Sequence, residues 1–151
     1  MKRALPPMLL HPLATLAFSL LLPQAGTVIG AQKISDRYGA LPPPLRNGDQ
    51  FGRAVTRLGD LDLDGVTDIA VAAHSDDDGG PERGAVYVLF LNTNGTVKGA
   101  QKISALAGGF AGPLRDGDQF GRALEALGDL DGDGIPDLAV GANFEIGRAH
   151  V

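Results

Sequence analysis

The chain contains no cysteine and no tryptophan, and only eight of its 151 residues are aromatic. Without cysteine it has neither a disulfide to stabilise a thin core nor a thiol nucleophile. It has no basic patch with interleaved aromatic residues, which argues against nucleic-acid binding. The apolar stretch near the N-terminus is shorter than the roughly 20 residues that a membrane-spanning helix needs. We therefore expect no nucleic-acid partner and no membrane span.

The sequence also lacks a convincing catalytic constellation. His74, Ser75 and Asp76 have the residue types of a catalytic triad, but they are consecutive. Triad members normally converge on the reacting atom from distant parts of a chain. The pattern favours an exposed loop at these residues and a protein that is not an enzyme.

Acidic residues are plentiful, and eight of the 18 lie in two nine-residue segments, Asp60–Asp68 and Asp129–Asp137. Each segment has aspartate at positions 1, 3, 5 and 9 and glycine at position 6. Carboxylates this close repel one another unless a divalent cation lies among them. Calcium takes six or more oxygen ligands at roughly 2.3–2.6 Å, and the glycine allows the turn that directs the position-7 carbonyl to the ion. The pattern predicts one calcium site in each segment.

The two acidic segments belong to a longer duplication with an offset of 69 residues. Residues 26–75 and 95–144 share 31 identities in 50 positions. Ala31–Ser35 and Ala100–Ser104, for example, both read Ala-Gln-Lys-Ile-Ser. A repeat of this length predicts stacked supersecondary units that bury their apolar faces against one another.

Strands, and not helices, are predicted on both sides of each acidic segment. A helical calcium-binding hand would have glutamate at position 12, where this sequence has Val71 and Val140. Residues 68–73 and 137–142 alternate large apolar with small residues, which is the period of a strand. The other strands predicted in the first repeat are residues 51–58, 84–91 and 96–103. An Asn-Gly hairpin turn is predicted at 92–95. Four antiparallel strands per repeat indicate a propeller blade.

These motifs together resemble a known family. Phe51-Gly52 and Phe120-Gly121 each precede a Gly-Asp-Leu-Asp loop, and Gly141-Ala142 stands where the family has its Gly-Ala ending. The order is similar to that of the FG-GAP repeats in integrin alpha-subunit propellers and their bacterial relatives. Ala72-Ala73 departs mildly from the ending in the first copy.

The resemblance implies an all-β fold of four-stranded antiparallel blades, with Ca²⁺ held between the first two strands of each blade. The carboxylate ligands that it implies are Asp60, Asp62, Asp64, Asp68, Asp129, Asp131, Asp133 and Asp137. It also implies backbone carbonyl ligands from Val66 and Ile135.

The resemblance divides the chain into three parts. Residues 26–144 are the repeat region, with one full blade at about 51–104 and the start of a second at about 120–144. Because a propeller of about seven blades closes into a ring, we expect an incomplete propeller here. Residues 145–151 leave the repeat and read like a translated sequencing adapter, so we expect a non-native tail.

Residues 1–25 resemble a secretory signal peptide, with Lys2-Arg3 before an apolar stretch. The alternative is that Ser19–Leu22, which the repeat register sets opposite Val88–Leu91, is a strand of an earlier blade. With the signal peptide, we expect a secreted or cell-surface protein in which bound metal supplies stability that disulfides do not.

Two functions follow from the resemblance. The first is a calcium-stabilised propeller of a secreted or cell-surface protein, non-enzymatic, which binds a protein or glycan ligand in adhesion. The second is the accessory propeller of a secreted hydrolase whose catalytic domain is absent from this chain.

Overall fold

The structure, a computed structural model, describes residues 28, 30–39, 41 and 45–142. The predicted signal peptide at 1–25 and the predicted tail at 145–151 lie outside these residues. The chain divides into two units, Met1–Ala31 and Gln32–Val151, and the strands described below belong to the second. No helix in the described part is long and apolar enough to cross a membrane.

The described residues form six strands and two antiparallel sheets. The strands are β1 Phe51–Gly59, β2 Asp68–Ala73, β3 Ala85–Leu91, β4 Val97–Ser104, β5 Ala123–Gly128 and β6 Asp137–Gly141. The first four make one sheet in the order β1-β2-β3-β4, and β5 pairs with β6. This is the predicted plan of one four-stranded blade followed by the first hairpin of another. The fold class predicted from the sequence is confirmed, and the propeller is incomplete and not closed.

The alternating side chains of the four-stranded sheet bury both of its faces. On β3, Tyr87 and Leu89 enter one apolar cluster with Val71 of β2, while Val86 and Val88 enter a second cluster on the opposite face. Burial of each large apolar side chain contributes about 1.5–3 kcal/mol. A sheet covered on both faces explains why β2 and β3 are almost uniformly apolar.

The segment between the repeats has the same local structure in both copies. Ser35 N donates to Tyr38 O at 2.8 Å, and its counterpart Ser104 N donates to Ala107 O at 3.0 Å. In each copy an aspartate then closes a turn through its carboxylate, 2.6 Å from the backbone nitrogen three residues earlier. These aspartates are Asp49 and Asp118, both buried. The duplication in the sequence is therefore a duplication of backbone geometry.

The second apolar cluster joins the two sheets. Leu124 and Ala126 of β5 and Leu138 and Val140 of β6 pack against Leu58, Ala70, Val86 and Val88 of the first sheet. Beside β6 an apolar groove of about 480 Å³ remains open, lined in part by Phe110, Leu114 and Phe120. The groove thus lies between β6 and the segment that precedes β5.

The chain enters the second hairpin through a close backbone contact with the first blade. Phe120 N donates to Arg83 O at 2.9 Å, and Gly84 and Phe120 form a parallel bridge. Gly121, with a φ of 94°, lies against the first sheet, where an added Cβ would be 3.0 Å from Ala72 Cβ and 3.1 Å from Ala85 O. The glycine of the second Phe-Gly pair is therefore required by packing between blades as well as by its backbone conformation.

The segment after β2 is not the exposed loop that the sequence predicted. His74 is 3% exposed, and Ser75 and Asp76 are also buried. Burial lowers the pKa of His74, and its Nδ1 atom has no hydrogen-bond partner among the described residues. Asp76 accepts hydrogen bonds from Tyr87 Oη at 3.1 Å and from Lys102 Nζ at 2.9 Å. At Asp76 the prediction failed because hydrogen bonds from two other strands satisfy a carboxylate that sequence reasoning places in solvent.

Substitution of the two Phe-Gly glycines separates backbone strain from blade packing. Gly52 has a φ of 92°, close to the 94° of Gly121, but no described atom lies within 4 Å of an added Cβ. Alanine strains the backbone equally at both positions, whereas only Gly121→Ala crowds the neighbouring sheet. We expect Gly121→Ala to lower the free energy of unfolding by about 1–3 kcal/mol more than Gly52→Ala does. Equal losses in urea denaturation would show that the inter-blade contact at Gly121 contributes nothing.

Candidate metal centre

Each acidic segment forms the loop of a β-hairpin, so strand geometry positions its carboxylates. The first loop connects β1 to β2, and the second connects β5 to β6. Both pairs of strands are antiparallel, and the register shifts just before each loop, between Arg57 and Gly59 and between Ala126 and Gly128. Gly65 and Gly134 both have a φ of 87°, as expected for a turn that only glycine makes without strain.

Three carboxylates come together in each loop. One oxygen from each of Asp60, Asp62 and Asp68 lies within 4.8 Å of the other two. Asp129, Asp131 and Asp137 form the equivalent group in the second loop. Oxygens that bind one calcium ion at about 2.3–2.6 Å lie within about 5 Å of one another. The separations and the all-oxygen donor set therefore fit a hard divalent cation.

Backbone amides hold the first aspartate of each loop. Asp60 accepts hydrogen bonds from the amides of Asp64 and Gly65, at 3.0 and 2.7 Å. Asp129 accepts from the amides of Gly132, Asp133 and Gly134, at distances of 2.7 to 3.0 Å. These bonds wrap the loop around the carboxylate. Position 1 thus organises the loop in both copies.

The aspartate at position 9 connects the loop to the sheet. Asp68 is fully buried, and its two oxygens accept hydrogen bonds from Leu61 N at 2.9 Å and Leu91 N at 3.0 Å. Asp137 accepts from Leu130 N at 2.7 Å in the same way as Asp68 does from Leu61. Because Leu91 ends β3, Asp68 ties the first loop to a strand outside its own hairpin.

The remaining predicted ligands lie outside the two groups of three. Asp64 Oδ1 accepts from Val66 N at 2.8 Å, and Asp133 Oδ1 accepts from Ile135 N at 2.7 Å. The Lys98 ammonium group contacts the other oxygen of Asp64, and this hydrogen bond is the main cause of the lowered pKa of Asp64. Metal ligation remains a prediction for all ten residues, and the structure groups only six of their carboxylates.

Sequence reasoning did not single out Lys98, although its ammonium group lies in the first loop. The nitrogen is 2.8 Å from Asp62 Oδ2. Lys98 is far from the loop in sequence, and the pairing of β4 with β3 brings it there. The spacing of the acidic residues does not indicate that a lysine from another strand will contact them.

The repeats seen in the structure match a known family of protein repeats. The FG-GAP repeat family matches residues 51–89 and 120–151. The chain is 37% identical to mouse integrin alpha-2 over 112 residues, which is 72% of this chain and 9% of that protein. It is 40% identical to human integrin alpha-IIb over 106 residues, or 67% of this chain and 9% of that protein. It is 42% identical to integrin alpha pat-2 of Caenorhabditis briggsae over 103 residues, which is 68% of this chain and 8% of that protein.

The chain thus spans about a tenth of the length of these relatives. The matched residues cover β1, β2 and most of β3 of the complete blade, and the whole of the second hairpin. The Phe-Gly pair, the acidic loop and the following strand occur in the same order in both copies, and in both the acidic loop joins two antiparallel strands. The chain therefore contains two FG-GAP repeats, at residues 51–89 and 120–151.

Proposed function

We propose that this chain is part of a calcium-binding β-propeller in a secreted or cell-surface protein, and that the propeller is non-enzymatic and binds a protein or glycan ligand in adhesion. The observation that carries the proposal is the equivalent grouping of three carboxylates in both hairpin loops. The similarity to integrin alpha chains supports adhesion over the accessory propeller of a hydrolase.

The carboxylates of the two loops would hold the ions. Asp60, Asp62 and Asp68 serve the first loop, and Asp129, Asp131 and Asp137 serve the second, with the other predicted ligands completing each shell. A bound calcium ion supplies positive charge that offsets the repulsion among these side chains. The buried Asp68 would pass this stabilisation to β3 through the bond from Leu91 N.

A bound ion would fix the loops at one end of the blade. The acidic loop and the Asn92–Gly95 turn belong to the same end, because Leu91 N contacts Asp68 and Lys98 contacts Asp62. Loops carried on a rigid sheet are the usual place for ligand recognition. An ordered acidic loop therefore supports a defined binding surface beside it.

Calorimetric titration with calcium tests the metal part of the proposal. We expect about two ions per chain with dissociation constants of about 10⁻⁴–10⁻³ M, the range of extracellular modules. Asp131→Ala should leave about one ion, because it removes one of the three grouped carboxylates of the second loop. Asp131 is preferable to Asp62 for this test, since it has no ion pair among the described residues.

Asp36→Ala is the matched control for the titration. It removes the same charge from an exposed residue outside both loops, so the number of ions should stay at about two. If the unsubstituted chain gives no binding heat, calcium binding at the predicted loops is contradicted. The same holds if Asp131→Ala binds as many ions as the unsubstituted chain.

Binding to arrays of extracellular proteins and glycans tests the adhesive role. The chain should bind a subset of these ligands in calcium and lose that binding in chelator, because the loops beside the surface depend on the ion. Asp131→Ala should weaken the interaction, and Asp36→Ala should not. Binding of equal strength in calcium and chelator would contradict a calcium-dependent adhesive surface.

A further inference from the structure

A lysine from the last strand of the complete blade reaches into the first acidic loop. Lys98 is the second residue of β4, and its ammonium nitrogen lies 2.8 Å from Asp62 Oδ2 and 3.1 Å from Asp62 Oδ1. The same nitrogen donates to Asp64 Oδ2. Asp62 is one of the three carboxylates gathered in this loop. The ammonium group therefore lies against oxygens that a calcium ion in the loop would use.

The Lys98 side chain is held in this position with its full charge. It is only 25% exposed, and the aspartates that it contacts are also partly shielded from solvent. A lysine ammonium group carries a full positive charge at neutral pH. The first loop thus contains a monovalent cation provided by the chain itself.

The second loop differs in this respect. Among the described residues, no lysine or arginine forms an ion pair with Asp129, Asp131, Asp133 or Asp137. In the preceding copy of this strand sequence, the repeat offset of 69 residues sets Ile29 at the position of Lys98. Within the described residues, an ammonium group thus lies against the carboxylates of the first loop and not against those of the second.

We propose that Lys98 is an internal competitor for the cation of the first loop, and that calcium displaces its ammonium group in order to bind there. The inference rests on the proposed calcium binding. The ammonium group and a calcium ion would both contact the oxygens of Asp62. At such short range their positive charges repel each other. The first loop therefore binds calcium more weakly than its carboxylates alone would allow. Displacement also breaks the contact between the loop and β4.

The experiment measures calcium affinity of the first loop alone, in the full chain with Asp131→Ala to inactivate the second loop. Adding Lys98→Ile, which is the residue at the corresponding position of the other copy, removes the competing charge. The calcium dissociation constant should fall about tenfold in calorimetry, a change of about 1.4 kcal/mol. Lys98→Gln removes the charge while keeping a long polar side chain, and it should give the same direction of change.

Two controls accompany these variants. Lys98→Arg retains the positive charge and should leave the dissociation constant within about twofold, given the larger size of its head group. Lys98→Ile combined with Asp60→Ala reports on the second loop alone, whose affinity should not change. Far-ultraviolet circular dichroism of each variant shows whether the sheet is retained.

An unchanged or weakened affinity in both Lys98→Ile and Lys98→Gln, with calcium still bound, would overturn the role of Lys98 and leave the proposed calcium binding intact. Absence of calcium binding in every variant, including the unsubstituted chain, would overturn both proposals together, because no cation would then compete with the lysine.

Discussion

Repulsion among the carboxylates of the two acidic hairpin loops is the constraint on which this structure depends. Three side-chain oxygens lie within 4.8 Å of one another in each loop. Backbone amides at Asp60 and Asp129, and the buried position of Asp68, fix these groups instead of letting them separate in solvent. A hairpin that gathers like charges in this way needs a compensating positive charge. The proposed calcium ions supply it in both loops, and without calcium Lys98 supplies part of it in the first.

The strands transmit that constraint to the blade. Asp68 begins β2 and accepts a hydrogen bond from the last residue of β3, so the position of the first loop is linked to the centre of the sheet. The same sheet buries Val71, Tyr87 and Leu89 on one face and Val86 on the other. The first loop is thus hydrogen-bonded to a sheet whose side chains enter both apolar clusters. This coupling would make a bound cation part of the fold.

Much of this architecture is predictable from the sequence because it depends on local pattern. Alternation after Asp68 and Asp137 predicted β2 and β6, and Asn-Gly at residues 94–95 predicted the turn before β4. Duplication predicted that the acidic loops would recur with the same geometry. These features arise from neighbours in sequence, where spacing determines which side chains share a face.

Long-range contacts account for what the sequence did not predict. Lys98 meets Asp62 only because β4 is the outer strand of the sheet, and Asp76 is buried because Tyr87 and Lys102 approach it from other strands. The packing role of Gly121 likewise depends on Ala72 and Ala85 of the preceding blade. Periodicity identifies the faces of a strand but not which distant polar side chain will meet a given carboxylate.

The most direct measurement of the central claim is the free energy of unfolding of the full chain in chelator and at rising calcium concentration. If the loops bind calcium only in the folded state, stability should rise logarithmically above the dissociation constant. At about 10 mM calcium the gain should be about 1–3 kcal/mol relative to chelator for each loop. Equal stability in chelator and in calcium would contradict the account, because the gathered carboxylates would then be stable without a divalent ion.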